Sequence, residues 1–233
     1  MKKRFLVISA MAAALVMIGP GLAHAGNVTL TINNAGSNTM GGVYVGPYNF
    51  TLTAANGQTS SLQLICDDAN DDVHPPGESW QFTTEDYSNL PSSLNGAKFS
   101  PDAIGYQEVG YLSEELLANL SDTTEVGEIQ WAIWDVFDTG TCGTGISNCD
   151  HWGSLTSAEI TAINSYLGAA QANYASGNYS NLVIYTPVAG TQVPPSDGPP
   201  QEYIDTAAEP SSILLLGLVL FGFLAARRFR YAV

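Results

Sequence analysis

The sequence predicts an α+β domain in which a β-sandwich or barrel-like sheet packs against a segment of three helices. Short runs between residues 28 and 84 alternate apolar and polar side chains and are separated by Gly and Asn, which is typical of strands and turns. From residue 102 onward the apolar residues instead recur three or four positions apart, the spacing of amphipathic helices. A final apolar run at 181–187 predicts a closing strand.

Four strands are predicted in the first half of the chain, and three helices follow them. The strands lie at 28–32 (VTLTI), 43–53 (VYVGPYNFTLT), 61–66 (SLQLIC) and 80–84 (WQFTT). Asp122 stands three residues before Glu125, and Thr156 three before Glu159, so both pairs predict helix amino termini. The apolar positions expected to face the core are Val109, Leu112, Leu116 and Leu120 in the first helix, Val126, Ile129, Ile133 and Phe137 in the second, and Ile160, Ile163, Leu167, Ala170 and Tyr174 in the third.

The charges are unevenly distributed along the chain, whose net charge is −15. All 22 acidic residues lie between residues 26 and 209, where Lys98 is the one basic residue. An acidic surface of this kind repels phosphate backbones, which excludes nucleic acid as a partner. The other basic residues lie at the two ends of the chain and are Lys2, Lys3, Arg4, Arg227, Arg228 and Arg230.

Residues 1–25 have the pattern of a secretory signal peptide. A basic start precedes an apolar run at 5–18, a Gly-Pro break, and the small residues Ala23 and Ala25. The apolar run is shorter than the roughly 20 residues that span a bilayer. The pattern therefore predicts export through the inner membrane and cleavage after Ala25.

Residues 213–226 form a second apolar run, followed directly by the carboxy-terminal arginines. As a helix it spans roughly 21 Å, short of the ~30 Å hydrocarbon core, and snorkelling arginines extend its reach. Positive charge after the run predicts a cytoplasmic end, whereas the signal peptide places the preceding domain outside. The predicted organisation is a domain at 26–187, a proline-rich spacer at 188–208 and a membrane segment.

The carboxy-terminal region, residues 209–233, resembles the PEP-CTERM sorting signal of exopolysaccharide-producing Gram-negative bacteria. The resemblance rests on Glu209 and Pro210, the Leu/Gly-rich run, and the cluster of Arg227, Arg228 and Arg230. Alanine replaces the first proline of the usual Pro-Glu-Pro. The resemblance implies transient anchoring, cleavage near Glu209 by an exosortase, and a product at the cell surface or outside the cell. An ordinary membrane anchor is the alternative.

Three cysteines in an exported chain leave one unpaired. Cys142 and Cys149 flank a Gly-rich hexapeptide, and an oxidising compartment predicts a disulfide between them. Cys66 then remains at the end of a predicted strand, where a buried thiol is the simplest interpretation.

Gln130 is unexpected because it lies on the apolar stripe of the second helix. A buried amide without partners costs about 1–3 kcal/mol, so this side chain needs a polar contact. The stretches at 65–68 (ICDD) and 129–134 (IQWAIW), with Cys66, Gln130 and Trp134, resemble the thioester domains of bacterial surface adhesins. In that family a strand-end cysteine motif accompanies a helix bearing Thr-Gln-x-Ala-apolar-Trp, whose glutamine is structural.

The same resemblance implies that the thioester glutamine belongs to a later motif, apolar-Gln-polar-apolar-apolar. The corresponding stretch appears at 179–183, where Ser180 replaces the glutamine. A hydroxyl cannot supply the acyl group, so the sequence predicts the fold without the bond. A covalent adhesin with an internal thioester at Cys66, with Gln130 as the partner considered, is the alternative.

The residues around Cys66 also suggest two other chemistries. Asp68, Asn70 and Asp72 have EF-hand spacing, but Val73 and Ser79 occupy the glycine and glutamate positions of that loop. A looser cation site would use the carboxylates of this acidic loop, and a solvated loop is the simpler interpretation. The carboxylates concerned are Asp67, Asp68, Asp71, Asp72 and Glu78.

A cysteine hydrolase is the second alternative, with Cys66 as nucleophile and His74 or His151 as base. The acids that follow Cys66 raise the pKa of a thiol rather than lowering it, so the sequence predicts no catalytic residue. No cofactor or metal is expected either.

The sequence thus indicates an exported, non-catalytic cell-surface or matrix protein associated with exopolysaccharide and biofilm. Signal peptidase and an exosortase are the expected processing partners. Exopolysaccharide is a candidate partner. The aromatic residues that would either offer stacking surface for sugars or pack in the core are Tyr44, Tyr48, Trp80, Tyr87 and Trp152.

Overall fold

The computed structural model describes residues 28–87, 90, 94–137, 154–177, 179, 182–195 and 199–206. Eight strands and three α-helices lie within these ranges. The strands are β1 (Thr29–Asn34), β2 (Thr39–Met40), β3 (Val43–Tyr44), β4 (Tyr48–Thr53), β5 (Thr59–Cys66), β6 (Ser79–Asp86), β7 (Leu182–Pro187) and β8 (Tyr203–Thr206). The helices are α1 (Ala103–Ala118), α2 (Thr123–Phe137) and α3 (Ser157–Asn173).

Six strands form a closed antiparallel barrel in the order β1-β4-β5-β8-β7-β6. The barrel closes where β1 pairs with β6, which sets Leu30 opposite Trp80. The remaining strands, β2 and β3, pair only with each other. The predicted α+β class with a barrel-like sheet and three helices is therefore confirmed.

Strand alternation builds the interior of the barrel. Along β4 the buried residues are every second one, beginning with Tyr48 and Phe50. The Phe50 ring packs edge-on against Tyr203 and Trp80, with centroid separations of 4.8 and 5.9 Å. These three aromatic side chains join β4, β8 and β6 across the core, so large apolar surfaces hold the barrel closed.

The three helices pack against one another, and α1 and α2 also contact the barrel at β8 and β5. The predicted capping box of α3 is present: Thr156 Oγ1 accepts from the Glu159 main-chain N at 3.3 Å, and Glu159 Oε2 accepts from the Thr156 main-chain N at 2.6 Å. Asp122 likewise accepts from the Glu125 main-chain N at 3.2 Å at the start of α2. Local sequence signals thus set where these helices begin.

Most of the predicted core positions of the three helices are buried, and those that are only half-buried are Phe137, Ile160, Leu167 and Tyr174. Two further differences concern element boundaries. Leu120 is 47% exposed because α1 ends at Ala118, two residues before it. The predicted strand at 43–53 is divided into β3 and β4, since Gly46 adopts a φ of 95° and Pro47 follows it. A Cβ at Gly46 would lie 2.8 Å from Val126 on α2, so the break brings the chain against the helix.

The prediction that residues 188–208 form a spacer is wrong for its second part. Gln201, Glu202, Tyr203 and Ile204 are buried, and β8 completes the barrel between β5 and β7. The strand has four residues and follows two proline pairs, which hide its apolar character from sequence inspection. The domain therefore extends beyond the predicted boundary at residue 187.

Within the described ranges, no helix has the combination of length and apolarity needed to cross a bilayer. The predicted signal peptide and membrane segment lie outside these ranges.

We predict that Ile204→Ala lowers the free energy of unfolding by about 2–4 kcal/mol, because Ile204 is fully buried in β8. Val193→Ala is the matched control within the predicted spacer, since Val193 is 61% exposed, and it should change stability by less than about 0.5 kcal/mol. Urea unfolding measures both. Equal, small effects would mean that residues 199–206 are not part of the core.

Candidate functional site

Cys66 lies at the carboxyl end of β5, where this strand pairs with β8. The pairing sets Cys66 opposite Tyr203 and Ile65 opposite Ile204. Paired residues in an antiparallel ladder project their side chains to the same face, so Cys66 and Tyr203 share one face. Gln201 lies two residues before Tyr203, just ahead of β8.

The thiol of Cys66 and the amide of Gln201 converge on one atom, the main-chain oxygen of Asp68. Cys66 Sγ donates to this oxygen at 3.2 Å, and Gln201 Nε2 donates to it at 2.8 Å. A main-chain carbonyl only accepts hydrogen bonds, which fixes the orientation of the amide with its nitrogen toward Asp68. The amide oxygen of Gln201 therefore faces the other way, where the Tyr203 hydroxyl donates to it at 3.0 Å.

Gln130 holds the main chain at the same place. Its Nε2 donates to the main-chain oxygen of Cys66 at 2.6 Å, which explains why a glutamine lies on the apolar stripe of α2. In the part of the chain that the structure describes, Gln130 Oε1 has no hydrogen-bond partner. Gln130 thus links α2 to the end of β5 by a hydrogen bond to the main chain of Cys66 and not to its sulfur.

Burial controls the chemistry of Cys66. The side chain is fully buried, and burial, followed by the nearby Asp68 and Asp67 carboxyls, raises the pKa of the thiol well above its ordinary value. A main-chain hydrogen bond with Asp68 and the Trp134 side chain lower this pKa by a smaller amount. The sulfur is therefore a protonated thiol at neutral pH, shielded from water and from bulky reagents.

A cluster of buried carboxyls surrounds the turn after β5. Burial is the first cause that raises the pKa of Asp67, Asp68 and Glu202, and their proximity to one another adds to it. Glu202 accepts hydrogen bonds from the Tyr106 hydroxyl, the Thr186 hydroxyl and the main-chain N of Lys98. No donor among the described residues contacts either oxygen of Asp67.

Lys98 neutralises part of this cluster. Its ammonium group forms ion pairs with Asp68 and with Asp71. Asp68 additionally accepts from the main-chain N of Asn70 at 3.0 Å. Two of the five carboxylates considered for a looser cation site, Asp68 and Asp71, are therefore paired with a cation of the chain itself.

The structure does not assemble the hydrolase pairing around His74. Cys66 is fully buried, whereas the His74 side chain is 73% exposed and its imidazole lies 3.9 Å from Glu78. Glu78 Oε2 also accepts from the main-chain N of His74 at 2.5 Å. His151 lies outside the described residues.

The aromatic side chains proposed for sugar stacking are mostly in the core. Tyr48, Trp80 and Tyr87 are buried, and Tyr44 is 49% exposed. The three buried rings belong to the hydrophobic core, so these three do not offer an outer binding surface. Trp152 lies outside the described residues, as do Ala23, Ala25, Cys142, Cys149, Glu209, Pro210, Arg227, Arg228 and Arg230.

Gln201 is the residue that sequence inspection missed. The stretch at 200–204 (PQEYI) has the form apolar-Gln-polar-apolar-apolar, whereas the stretch at 179–183 has Ser180 in the glutamine position. The predicted spacer at 188–208 includes residues 200–204. The structure supplies a glutamine beside Cys66 where the sequence analysis expected none.

No protein-family model matches the sequence, and no curated protein matches it significantly. Two solved structures are similar. The N-terminal thioester domain of a surface protein from Clostridium perfringens has 11% identity and a TM-score of 0.41, over 77% of this chain and 97% of that one. The N-terminal domain of the Streptococcus pyogenes pilus tip adhesin Cpa has 12% identity and a TM-score of 0.38, over 76% and 91%. Similarity at this level carries no functional argument here.

We predict that the domain becomes less stable as the pH rises from about 4 to 8. The folded state holds protons on Asp67 and Glu202 more tightly than the unfolded chain does, so the stability present at low pH is lost as these carboxyls ionise. Asp67→Asn should flatten this dependence and raise the free energy of unfolding at pH 8, because it removes a buried carboxyl whose ionisation is disfavoured in the folded state.

Urea unfolding at several pH values tests this expectation. The exposed Asp72→Asn removes a charge from the same loop and should leave the slope unchanged. A wild-type domain that gains stability between pH 4 and 8 would contradict the buried, protonated state of this cluster.

Proposed function

We propose that this protein is an exported, non-catalytic surface protein that carries an internal thioester between Cys66 Sγ and the side-chain carbonyl carbon of Gln201. The observation that carries the proposal is the convergence of thiol and amide on the main-chain oxygen of Asp68. The alternative from sequence analysis, a covalent adhesin, thereby becomes the preferred function.

The bond forms by an acyl transfer that needs no further reactant. The sulfur of Cys66 attacks the amide carbon of Gln201, a carbon–sulfur bond forms, and the carbon–nitrogen bond breaks. The thiol proton passes to the leaving nitrogen, which departs as ammonia. The Asp68 carbonyl holds the attacking and leaving groups together, an arrangement that replaces an encounter in solution by a fixed approach.

Burial slows hydrolysis of the thioester. Cys66 is fully buried and Gln201 is 7% exposed, so hydroxide reaches the acyl carbon slowly. A primary amine of a partner would open the bond, forming an amide on Gln201 and releasing the Cys66 thiol. Each molecule reacts once, which makes the process covalent attachment rather than turnover.

The charge of the domain favours an amine-bearing partner and disfavours reaction with itself. All 22 acidic residues lie between positions 26 and 209, so the domain attracts cationic groups at long range. Lys98 is the one lysine in this interval, and its amine is held in ion pairs with Asp68 and Asp71. Copies of the chain therefore offer one another no free lysine from this interval.

We infer the place of action from the two ends of the sequence. The signal-peptide pattern ending at Ala25 supports export, and Glu209, Pro210 and the terminal arginines support sorting by an exosortase to the surface or the polysaccharide matrix. Since β8 ends at Thr206, cleavage near Glu209 would leave the barrel with all of its described strands.

The thioester predicts that the intact wild-type protein has a mass lower than its sequence mass by one ammonia. Cys66→Ala and Gln201→Ala should both remove this deficit. Methylamine should add to Gln201 of the wild type as a methylamide, which leaves the protein heavier than its sequence mass by one methylene group. Gln201→Glu is the matched control, because a carboxylate of the same shape is a poor acyl donor and should show no loss. A wild-type mass equal to the sequence mass of the mature chain would refute the bond.

If signal peptidase and an exosortase process the chain as proposed, protein recovered from the producing cells should begin at Gly26 and lack residues 211–233. Peptide mapping of both termini measures this. Recovery of the apolar run at 213–226 in the mature surface form would contradict exosortase sorting and support an ordinary anchor, without bearing on the thioester.

A further inference from the structure

The hydroxyl of Tyr203 contacts the atom on which negative charge would develop during thioester chemistry. It donates to Gln201 Oε1 at 3.0 Å, and this oxygen is bonded to the carbon that Cys66 attacks. When sulfur adds to that carbon, the carbonyl oxygen becomes an oxyanion. A donor already aimed at this oxygen stabilises the tetrahedral intermediate without reorganisation.

Packing holds Tyr203 in place before any reaction. The side chain is fully buried, and its ring contacts Phe50, Tyr48 and Trp80 with centroid separations of 4.8, 5.7 and 6.2 Å. Its backbone is paired on both sides, with Cys66 in β5 and Tyr185 in β7. The hydroxyl therefore has little freedom to leave the amide oxygen, as an effective oxyanion donor requires.

The Tyr203 hydroxyl keeps its proton under all physiological conditions. Burial, followed by the nearby Cys66, raises the pKa of this phenol well above its ordinary value. It therefore acts as a hydrogen-bond donor and not as a base. The proton that leaves with ammonia comes from the Cys66 thiol.

We propose that Tyr203 is a catalytic residue of the thioester, donating a hydrogen bond to the oxyanion on Gln201 both when the bond forms and when an amine opens it. This rests on the function proposed above. In formation, sulfur bonds to the Gln201 carbon, the oxyanion collapses, and nitrogen leaves with the thiol proton. In opening, the amine nitrogen bonds to the same carbon, and the sulfur leaves and takes up a proton from the amine.

Tyr48 provides the matched control. Its ring lies in the same aromatic cluster, 5.7 Å from that of Tyr203, but its hydroxyl donates to the main-chain oxygen of Tyr44 at 3.1 Å. Tyr48→Phe and Tyr203→Phe each remove one buried hydroxyl and keep the ring. Only the second removes a contact with a reacting atom.

The experiment follows intact mass over time in refolded protein to obtain the rate of ammonia loss, and then the rate of opening by methylamine. Tyr203→Phe should slow both reactions by about 10²–10³-fold, because both pass through an oxyanion on the same atom. Tyr48→Phe should leave both rates within about threefold of wild type. Replacing Tyr203 with 4-aminophenylalanine, which retains a donor in the same position, should restore most of the rate.

The outcomes separate the two proposals. A wild type that never loses ammonia overturns the proposed function and, with it, the role of Tyr203. A wild type that loses ammonia, with Tyr203→Phe equally fast, overturns the role of Tyr203 alone. If Tyr203→Phe fails to fold, the protein with 4-aminophenylalanine at position 203 provides the test. If that protein folds but does not form the thioester, the proposed role of Tyr203 is also overturned.

Discussion

The pairing of Cys66 with Tyr203 across β5 and β8 is the contact on which the rest of the site depends. It joins β5 to β8 within the barrel and brings Gln201 close to the sulfur. The turn after β5 then presents the Asp68 carbonyl oxygen to both groups. A shift of one residue in this register would turn Gln201 to the opposite face, so the site exists only in the observed pairing.

The same register concentrates carboxyls on the other face of the strands. Asp67 and Glu202 alternate with Cys66 and Gln201, and both are fully buried. Hydrogen bonds from Tyr106 and Thr186 tie Glu202 to α1 and β7, which fixes β8 between its neighbours. Buried carboxyls lower the stability of the folded state at neutral pH. In this domain, the hydrogen bonds of one such carboxyl, Glu202, also hold β8 beside Cys66.

Local signals in the sequence were sufficient for much of the fold. The capping box at Thr156 and the apolar spacing of α1 and α2 depend on residues close in sequence, and the structure confirms them. β8 could not be found in this way, because a four-residue strand owes its stability to partners far along the chain. Helical spacing alone is enough to predict that Gln130 is a buried polar residue. The position of Gln201 beside Cys66 can be predicted only if β8 is recognised as a strand.

The central claim is a covalent bond between Cys66 and Gln201, and proteolysis under mildly acidic conditions followed by tandem mass spectrometry tests it most directly. The account predicts one cross-linked species in which the peptide containing Cys66 is joined to the peptide containing Gln201, with ammonia lost. Recovery of two separate peptides from native, folded protein, with a free Cys66 thiol and an intact Gln201 amide, would contradict it.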